Sequence, residues 1–558
     1  MTKEFKTSLA ENIFNLKYRQ GVSDSWSKLS ERIVEDVCGS RWGTLPNLMS
    51  LSERKQLTEY IKNMNFLPGG RYIYYAGRPF KGFNNCFIGI AKEDTREEWA
   101  NLAHWSMSCL TTGGGIGIDY SVFRPKGSVL SRTGGVASGP IPLMQSINEI
   151  GRNVQQGGSR RSAIYASLNW KHGDINEFLT IKNWSELTKQ QKSSDFNYPA
   201  TLDMTNISVN YDDESLGGHI KDVNGKIISN ELADNPVFKQ NVRQAMETGE
   251  PGFSFNFGDK QNETGRNACT EVTSSDHADC CNLGSINLSS IKTIEEFKSI
   301  VNLASKFLVC GTLRAHLPTE ETYKIREKNR RLGLGLTGMH EWLMQRGSKY
   351  EVTEELHKWL EVYKTESEKA ANEHCDRFYL NHPAGYRAIA PAGSLSILAS
   401  TTSGIEPLFA VAYKRRFLTE GTKWKYQYVV DGTAQTLISQ YGIKPESIET
   451  ALDLSTDYER RLKFQAGVQD YVDMSISSTI NLPSWGSDGN NESKVSEFTR
   501  TLAKYAPRLR GFTAYPDGSR GGQPLTSVPY EEALEHKDTV YDEVMDVCSL
   551  TGGGTCGS

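Results

Sequence analysis

From Asn84 onward, short apolar runs alternate with glycine-rich turns, and this texture limits the possible folds more than any other feature of the chain. The turns include Gly113-Gly114-Gly115, Gly134-Gly135 and Gly157-Gly158. Glycine at this density interrupts helices and strands and permits tight reversals. Short strands linked by such turns and by helices make an α/β core. The imperfect alternation of Leu202–Val209 predicts a strand. Val301–Leu308 and Thr353–His374 predict helices, the second an outer amphipathic layer with mixed Glu and Lys. Ala388–Ser400 is apolar and interrupted by Pro391 and Gly393, which predicts a strand, a turn and then a helix. Ahead of this core, Trp26–Val37 is apolar at helical spacing, and Pro68-Gly69-Gly70 is expected to stop any helix. The polar stretch Ser484–Lys494 predicts a surface loop, and the glycine-rich end SLTGGGTCGS a flexible tail.

Length and charge narrow the function. The 558 residues exceed a usual single domain by about three- to fivefold, and 37% hydrophobic residues can fill a large core. A formal net charge of −4 disfavours a strongly basic nucleic-acid binder. The N-terminus MTKEFKTSLAENIFNLKYRQ has neither the apolar core nor the cleavage pattern of a signal peptide. No apolar run of about 18 residues predicts a membrane span, so a cytoplasmic setting with no membrane partner is expected. The ten cysteines are too sparse for a disulfide-dense scaffold. Cys280 and Cys281 are adjacent, which does not suit a zinc knuckle.

The sharpest local constellation is Asn267-Ala268-Cys269-Thr270-Glu271. In an extended segment, positions 267, 269 and 271 share one face and present an amide, a thiol and a carboxylate together. Such a set can move a proton, hold a hydroxyl and supply a nucleophile or redox centre; ordinary packing or a turn is the alternative. Cys86, in FNNCFIG, and Cys281, in ADCCNLGSIN, could together give two reducing equivalents as a disulfide, but sequence alone does not bring them together. Asn85 is a polar contact beside Cys86, or a turn amide. Cys548 and Cys556 lie on the glycine-rich tail and suit a mobile dithiol, or a frayed terminus. Pro391-Ala392-Gly393-Ser394-Leu395-Ser396 can cradle phosphate oxygens or simply cap a helix. Gly113–Gly117 lacks the dinucleotide-binding fingerprint. Gln155–Arg161 could bind a base edge and phosphate, or be a solvated basic turn. Asp94 and Arg124 read individually as surface residues, and Tyr471 and Tyr515 as packing residues.

The ordered series of segments is more specific than any member. It includes PGGRYIYYAG, NNCFIG, TTGGGIGIDYSVFRPKGS, QQGGSRRSA, NACTE, CCNLGSINL, LGLTGMHEWLMQRG, APAGSLSILASTTSGIEPLFAVAYKRRFL, YVDMSISSTINLP and GFTAYPDGSRGGQPL. Over roughly residues 65–530 this resembles the catalytic chain of ribonucleotide reductase, and most nearly its class II, adenosylcobalamin-dependent branch. The resemblance implies a ten-stranded α/β barrel of two five-stranded halves with a central finger loop. A helical region over residues 1–80 would precede a barrel over 81–535, with a redox tail over 536–558. It implies that Cys269 forms a thiyl radical and takes the 3′ hydrogen of a ribonucleotide. Glu271 would accept the 3′-hydroxyl proton, Asn267 would hold the hydroxyl region, and Cys86 and Cys281 would be oxidised to a disulfide. Cys281 rather than Cys280 is preferred because it directly precedes Asn282-Leu283-Gly284.

By the same resemblance, Asn85, Gly393, Ser394, Ser396 and Arg160 bind substrate. Many relatives carry threonine at the positions of Ala392 and Ser394, so this turn departs from the family pattern. Asp94 and Arg124 fall on the side that binds a deoxyribonucleoside triphosphate effector. A homodimer, a ribonucleoside diphosphate (or triphosphate) substrate and a thioredoxin-like or glutaredoxin-like reductant are implied. No direct protein ligand to metal is expected, cobalt being carried by cobalamin. The only adjacent tyrosines are Tyr74-Tyr75; a tyrosine pair near the C-terminus, through which the di-iron class passes its radical, is missing. The alternatives are a class I large subunit served by a separate radical-generating subunit, and a non-catalytic nucleotide-binding regulator on the same fold.

Overall fold

A computed structural model describes residues 4–542, apart from 22–23, 41–45, 155–161, 196–197, 224, 420–422, 520–524 and 538. The N-terminal stretch folds as α1 (Ser8–Lys17), α2 (Trp26–Cys38), α3 (Leu51–Lys62), a short strand β1 (Phe66–Pro68) and α4 (Gly70–Tyr75). Each of the first three helices opens on a hydroxyl cap, from Thr7, Ser25 and Ser50. Pro68-Gly69-Gly70 does not end a helix as expected. It closes β1 and opens α4, because Gly69 must lie against another backbone: its N–H donates to the Leu283 carbonyl at 2.8 Å. A Cβ there would come within 2.7 Å of the same oxygen.

The barrel follows. β2 (Cys86–Ile90), β3 (Gly115–Asp119), β4 (Ile164–Asn169), β5 (Thr205–Tyr211) and β6 (Gly252–Phe255) run parallel, each beside the next. Helices cross between them, as parallel neighbours require. After a small hairpin of β7 (Gly265–Arg266) and β8 (Thr273–Ser274), a second parallel set begins with β9 (Asp279–Asn287). It passes through α5 (Ile294–Arg314), β10 (Leu332–Thr337) and α6 (Glu354–Arg377) to an extended segment at 387–389. α7 (Gly393–Ala399) follows, then an antiparallel pair, β11 (Ala412–Thr419) and β12 (Lys423–Val430), and the last staves, β13 (Thr479–Leu482) and β14 (Gly511–Pro516). Single parallel bridges, Leu334 to Arg387 and Ile389 to Ile476, insert the 387–389 segment between β10 and the chain leading into β13.

The two halves meet antiparallel at both seams, β9 against β2 and β14 against β6. The result is a closed ten-stave α/β barrel, with β1 added antiparallel outside β9. The expected strand at 202–209 begins at Thr205, the expected helix at 301–308 lies within α5, and that at 353–374 matches α6 with Thr353 as its cap. Among the described residues no helix is long and apolar enough to cross a membrane.

A barrel of this many staves is wider than its wall side chains can fill. The β7–β8 hairpin occupies the space. It lies so close to β3 that a Cβ on Gly117 would stand 2.0 Å from the Arg266 carbonyl oxygen, and one on Gly115 would stand 3.0 Å from the Ala268 Cβ. Gly115 and Gly117 of the Gly113–Gly117 run therefore make room for an inserted loop. A small apolar cluster of Cys86, Ile88, Val272, Cys281, Ala388 and Met474 lines the lumen, separate from the large core between barrel and helices.

Candidate active site

The hairpin is held rigidly at its base. Buried Arg266 donates from Nη2 to Asn256 Oδ1 at 2.7 Å and to the Arg510 carbonyl at 3.1 Å. Glu263 accepts from Thr273 Oγ1 at 2.7 Å and from Arg510 Nη2 at 3.1 Å. Burial opposes the charge on Glu263, but the guanidiniums of Arg510 and Arg331 outweigh it and hold the carboxyl at about 2. Ser274 donates to Asp279 at 2.6 Å, and Asp279 in turn accepts from Arg331 at 2.7 Å. The loop is thus fastened to both halves of the barrel.

Its tip is a tight turn, not the extended segment expected from sequence. Thr270 takes a left-handed conformation, φ 69°, and its N–H donates to the Asn267 carbonyl at 3.0 Å. Asn267 Oδ1 accepts the Val272 N–H at 2.9 Å, and the Glu271 carbonyl accepts the Ser475 N–H at 2.9 Å. The turn buries Asn267 and Glu271 and leaves Cys269 exposed at the apex. Alternation does not gather these three side chains; a reversal stabilised by the asparagine does.

The buried pair converges on Cys86, the first residue of β2. Asn267 Nδ2 donates to Cys86 Sγ at 3.0 Å, and the Cys86 thiol points to Glu271 Oε1 at 3.6 Å. Across the seam, Cys86 stands directly opposite Cys281. Residues so opposed lie about 4.5–5.5 Å apart at Cα, inside the span that a disulfide bridges. Both are reduced thiols, and Cys281 donates to the Asn282 carbonyl at 3.2 Å. Cys280 faces Phe87 and packs in the outer core, on the other side of β9.

Burial pushes the thiols of Cys86 and Cys281 well up, so both stay protonated. Burial also raises the Glu271 carboxyl. Its Oε2 and the Asn85 Oδ1 are buried acceptors with no hydrogen-bond partner, an arrangement costly to leave unmet.

A cavity of about 380 Å³ brings these groups together. Asn85, Cys86, Asn267, Cys269 and Glu271 line it together with Pro391, Ala392, Gly393 and Ser394. Ala392 is left-handed, φ 48°, and Gly393 and Ser394 open α7. Ser396 lies outside: its hydroxyl donates to the Gly393 carbonyl at 3.0 Å, and it borders a neighbouring cavity of about 220 Å³. Two further residues reach this site from the N-terminal helices. Tyr18 forms part of the wall, and Lys17 Nζ donates to Ser394 Oγ at 3.0 Å. Neither carries a sequence signal, since their position depends on how α1 packs against α7.

Residues 84–372 and 383–506 match the ribonucleotide reductase barrel domain. The chain belongs to this family of reductases. Its curated relatives include a vitamin B12-dependent ribonucleoside-diphosphate reductase of Mycobacterium tuberculosis, 26% identical over 86% of this chain and 74% of that one. A protein of the same name from Thermoplasma acidophilum is 27% identical over 87% of this chain and 68% of that one. Among solved structures, the class Id ribonucleotide reductase alpha subunit of Actinobacillus ureae has the same fold, with a TM-score of 0.70 over 93% of this chain and 98% of that one at 15% identity.

Of the other sequence-derived positions of this reductase, Asp94 and Arg124 are not among the residues that line the cavity. Asp94 and Arg124 form an ion pair with each other, both partly exposed. Arg160, Cys548 and Cys556 lie outside the described residues.

Proposed function

We propose that this reductase converts ribonucleoside diphosphates to 2′-deoxyribonucleotides through a Cys269 thiyl radical and depends on adenosylcobalamin. The B12-dependent names of the mycobacterial and Thermoplasma relatives support the cofactor. The observation that carries the chemistry is Cys86, in one cavity with Asn267, Glu271 and exposed Cys269, standing directly opposite Cys281. Ribose presents hydroxyl donors, and Asn85 and Glu271 present unpartnered acceptors.

The residues near Cys269 fit the cofactor. Its thiol is exposed, and the neighbouring wall is built of small residues, Gly113, Gly115 and Ala163. These would flank adenosylcobalamin, which when bound supplies the radical that removes the Cys269 thiol hydrogen. Cys269 then takes the 3′ hydrogen, while Glu271 takes the 3′-hydroxyl proton. The 2′ C–O bond breaks and the oxygen leaves as water. Cys86 and Cys281 give two protons and two electrons, which complete the water and the new 2′ C–H bond, and one S–S bond forms. Cys269 returns its hydrogen to the 3′ carbon, and Glu271 returns its proton to the 3′ oxygen. Neutral buried thiols suit hydrogen donation.

Cys548 and Cys556 are assigned to re-reducing the disulfide, renewed by a thioredoxin-like or glutaredoxin-like dithiol. The Asp94–Arg124 pair is assigned to a deoxyribonucleoside triphosphate effector at a homodimer interface. Exposed Val122 and Val129, on the loop carrying Arg124, support such an interface.

The test is reconstitution with adenosylcobalamin, dithiol and each ribonucleotide in its di- and triphosphate forms. Deoxyribonucleotide formed without a second protein is the expected result. Strict dependence on a separate radical-generating subunit would reject the cofactor assignment, and preference for triphosphate would reject the substrate.

Glu271 makes a separate prediction. The carboxylate is its active form, and burial raises its pKa, so the acid limb of kcat should lie above the ordinary glutamate range. Glu271→Gln should lose about 10²- to 10⁴-fold in kcat and abolish that limb. The folded state binds the proton more tightly than the unfolded chain. Stability therefore falls as pH rises from the unfolded to the folded pKa. Glu271→Gln removes this loss, and its thermal midpoint at neutral pH should equal or exceed that of the wild type.

A further inference from the structure

We infer that Lys17 is a substrate residue: its ammonium holds the terminal phosphate of the ribonucleoside diphosphate, so that α1 completes the specificity of the barrel site. The inference rests on the cavity being the ribonucleotide site proposed above. It begins from the contact of Lys17 Nζ with Ser394 Oγ, 3.0 Å long and spanning 377 positions of sequence.

The reach of Lys17 is fixed by packing. α1 buries Leu9, Ala10, Ile13 and Phe14, and near its start Thr7 Oγ1 lies 3.4 Å from Ser400 Oγ, just beyond α7. At its other end Tyr18 is buried in the cavity wall, its hydroxyl 3.1 Å from where a Cβ on Gly70 would stand. Lys17 lies between these anchors, with its side chain exposed to solvent. A cation in the last turn of a helix is favourable whatever it binds; what distinguishes Lys17 is its reach to a hydroxyl of the cavity lining.

Charge then orients the ligand. Among the described residues, the one guanidinium in the lining belongs to Arg71, which is buried and donates to the carbonyls of Gly82 at 2.6 Å and Thr112 at 2.7 Å. Glu271 is buried in the lining, whereas Ser394 is half-buried beside exposed Gly393. A polyanionic diphosphate is therefore drawn toward Ser394 and Lys17 and away from Glu271, which leaves the ribose beside Cys86 and Cys269. An ammonium is a compact charge with three donors, able to hold the serine hydroxyl and a phosphate oxygen together.

The test compares the full-length wild type with Lys17→Met and Lys17→Arg. Methionine keeps an apolar stem of similar length without the charge. Equilibrium binding would be measured with CDP and with unphosphorylated cytidine, alongside KM and kcat for CDP. Loss of one partly exposed charge-assisted contact should weaken CDP binding and raise KM about 10-fold in Lys17→Met, with kcat within about twofold. Lys17→Arg should recover most of the affinity, cytidine binding should be unchanged, and added salt should narrow the gap. CDP binding equal to that of the wild type in Lys17→Met would overturn the inference. So would equal weakening of CDP and cytidine, which would mark Lys17 as merely structural. A wild type that bound neither ligand would remove the ribonucleotide site itself, and this inference with it.

Discussion

Cys269→Ser is expected to abolish turnover while leaving the barrel folded and its affinity for ribonucleoside diphosphate within about twofold of wild type. Serine is nearly isosteric, but its O–H bond is too strong to yield the radical that a thiol forms. Cys269 sits at the exposed apex of the finger, so the substitution removes little packing and creates no buried unpaired group. Asn267 and Glu271 keep their hydrogen bonds, since none of those described passes through the Cys269 side chain. Deoxyribonucleotide formation should therefore fall by at least about 10⁴-fold, without a matching change in the thermal midpoint. Retention of a tenth of wild-type turnover would show that hydrogen abstraction does not use this thiol.

The barrel was legible because its constraints are local. The short apolar runs and glycine turns after Asn84 follow from strands that must be short, closely spaced and tightly connected. Ala388–Ser400 reads correctly as strand, turn and helix because Pro391 and Gly393 interrupt an otherwise continuous apolar run. Details that depend on distant parts of the chain are less legible. Asn267–Glu271 looks extended in isolation, but the Asn267 side chain binds Val272 and bends the chain. The choice between Cys280 and Cys281 depends on which face of β9 enters the lumen, and the antiparallel seam with β2 decides that. Lys423–Val430, by contrast, alternates Lys and Gln with Trp and Tyr, a period-two pattern that marks strand β12, and it pairs there with β11. Lys17 and Tyr18 are ordinary residues at the end of an amphipathic helix until α1 is docked.

The seam between β2 and β9 also makes the second large prediction. Cys86 and Cys281 are directly opposed there, so oxidation should join them with little backbone movement. In the absence of external dithiol, prereduced enzyme carrying Cys548→Ser and Cys556→Ser should make at most one deoxyribonucleotide per chain and then stop. Peptide mass spectrometry of the stopped enzyme should find Cys86 linked to Cys281. Cys86→Ser and Cys281→Ser should each lose at least about 10²-fold in steady-state turnover, because one remaining thiol cannot deliver two electrons and close a disulfide. Cys280→Ala is the informative neighbour: its side chain packs outside the lumen, against the helical layer. Its loss should lower stability modestly and leave the one-product stoichiometry intact. A Cys86–Cys280 linkage in the stopped enzyme, or normal turnover by Cys281→Ser, would mean that β9 presents its other face during the reaction, and the assignment of electrons to Cys281 would fail.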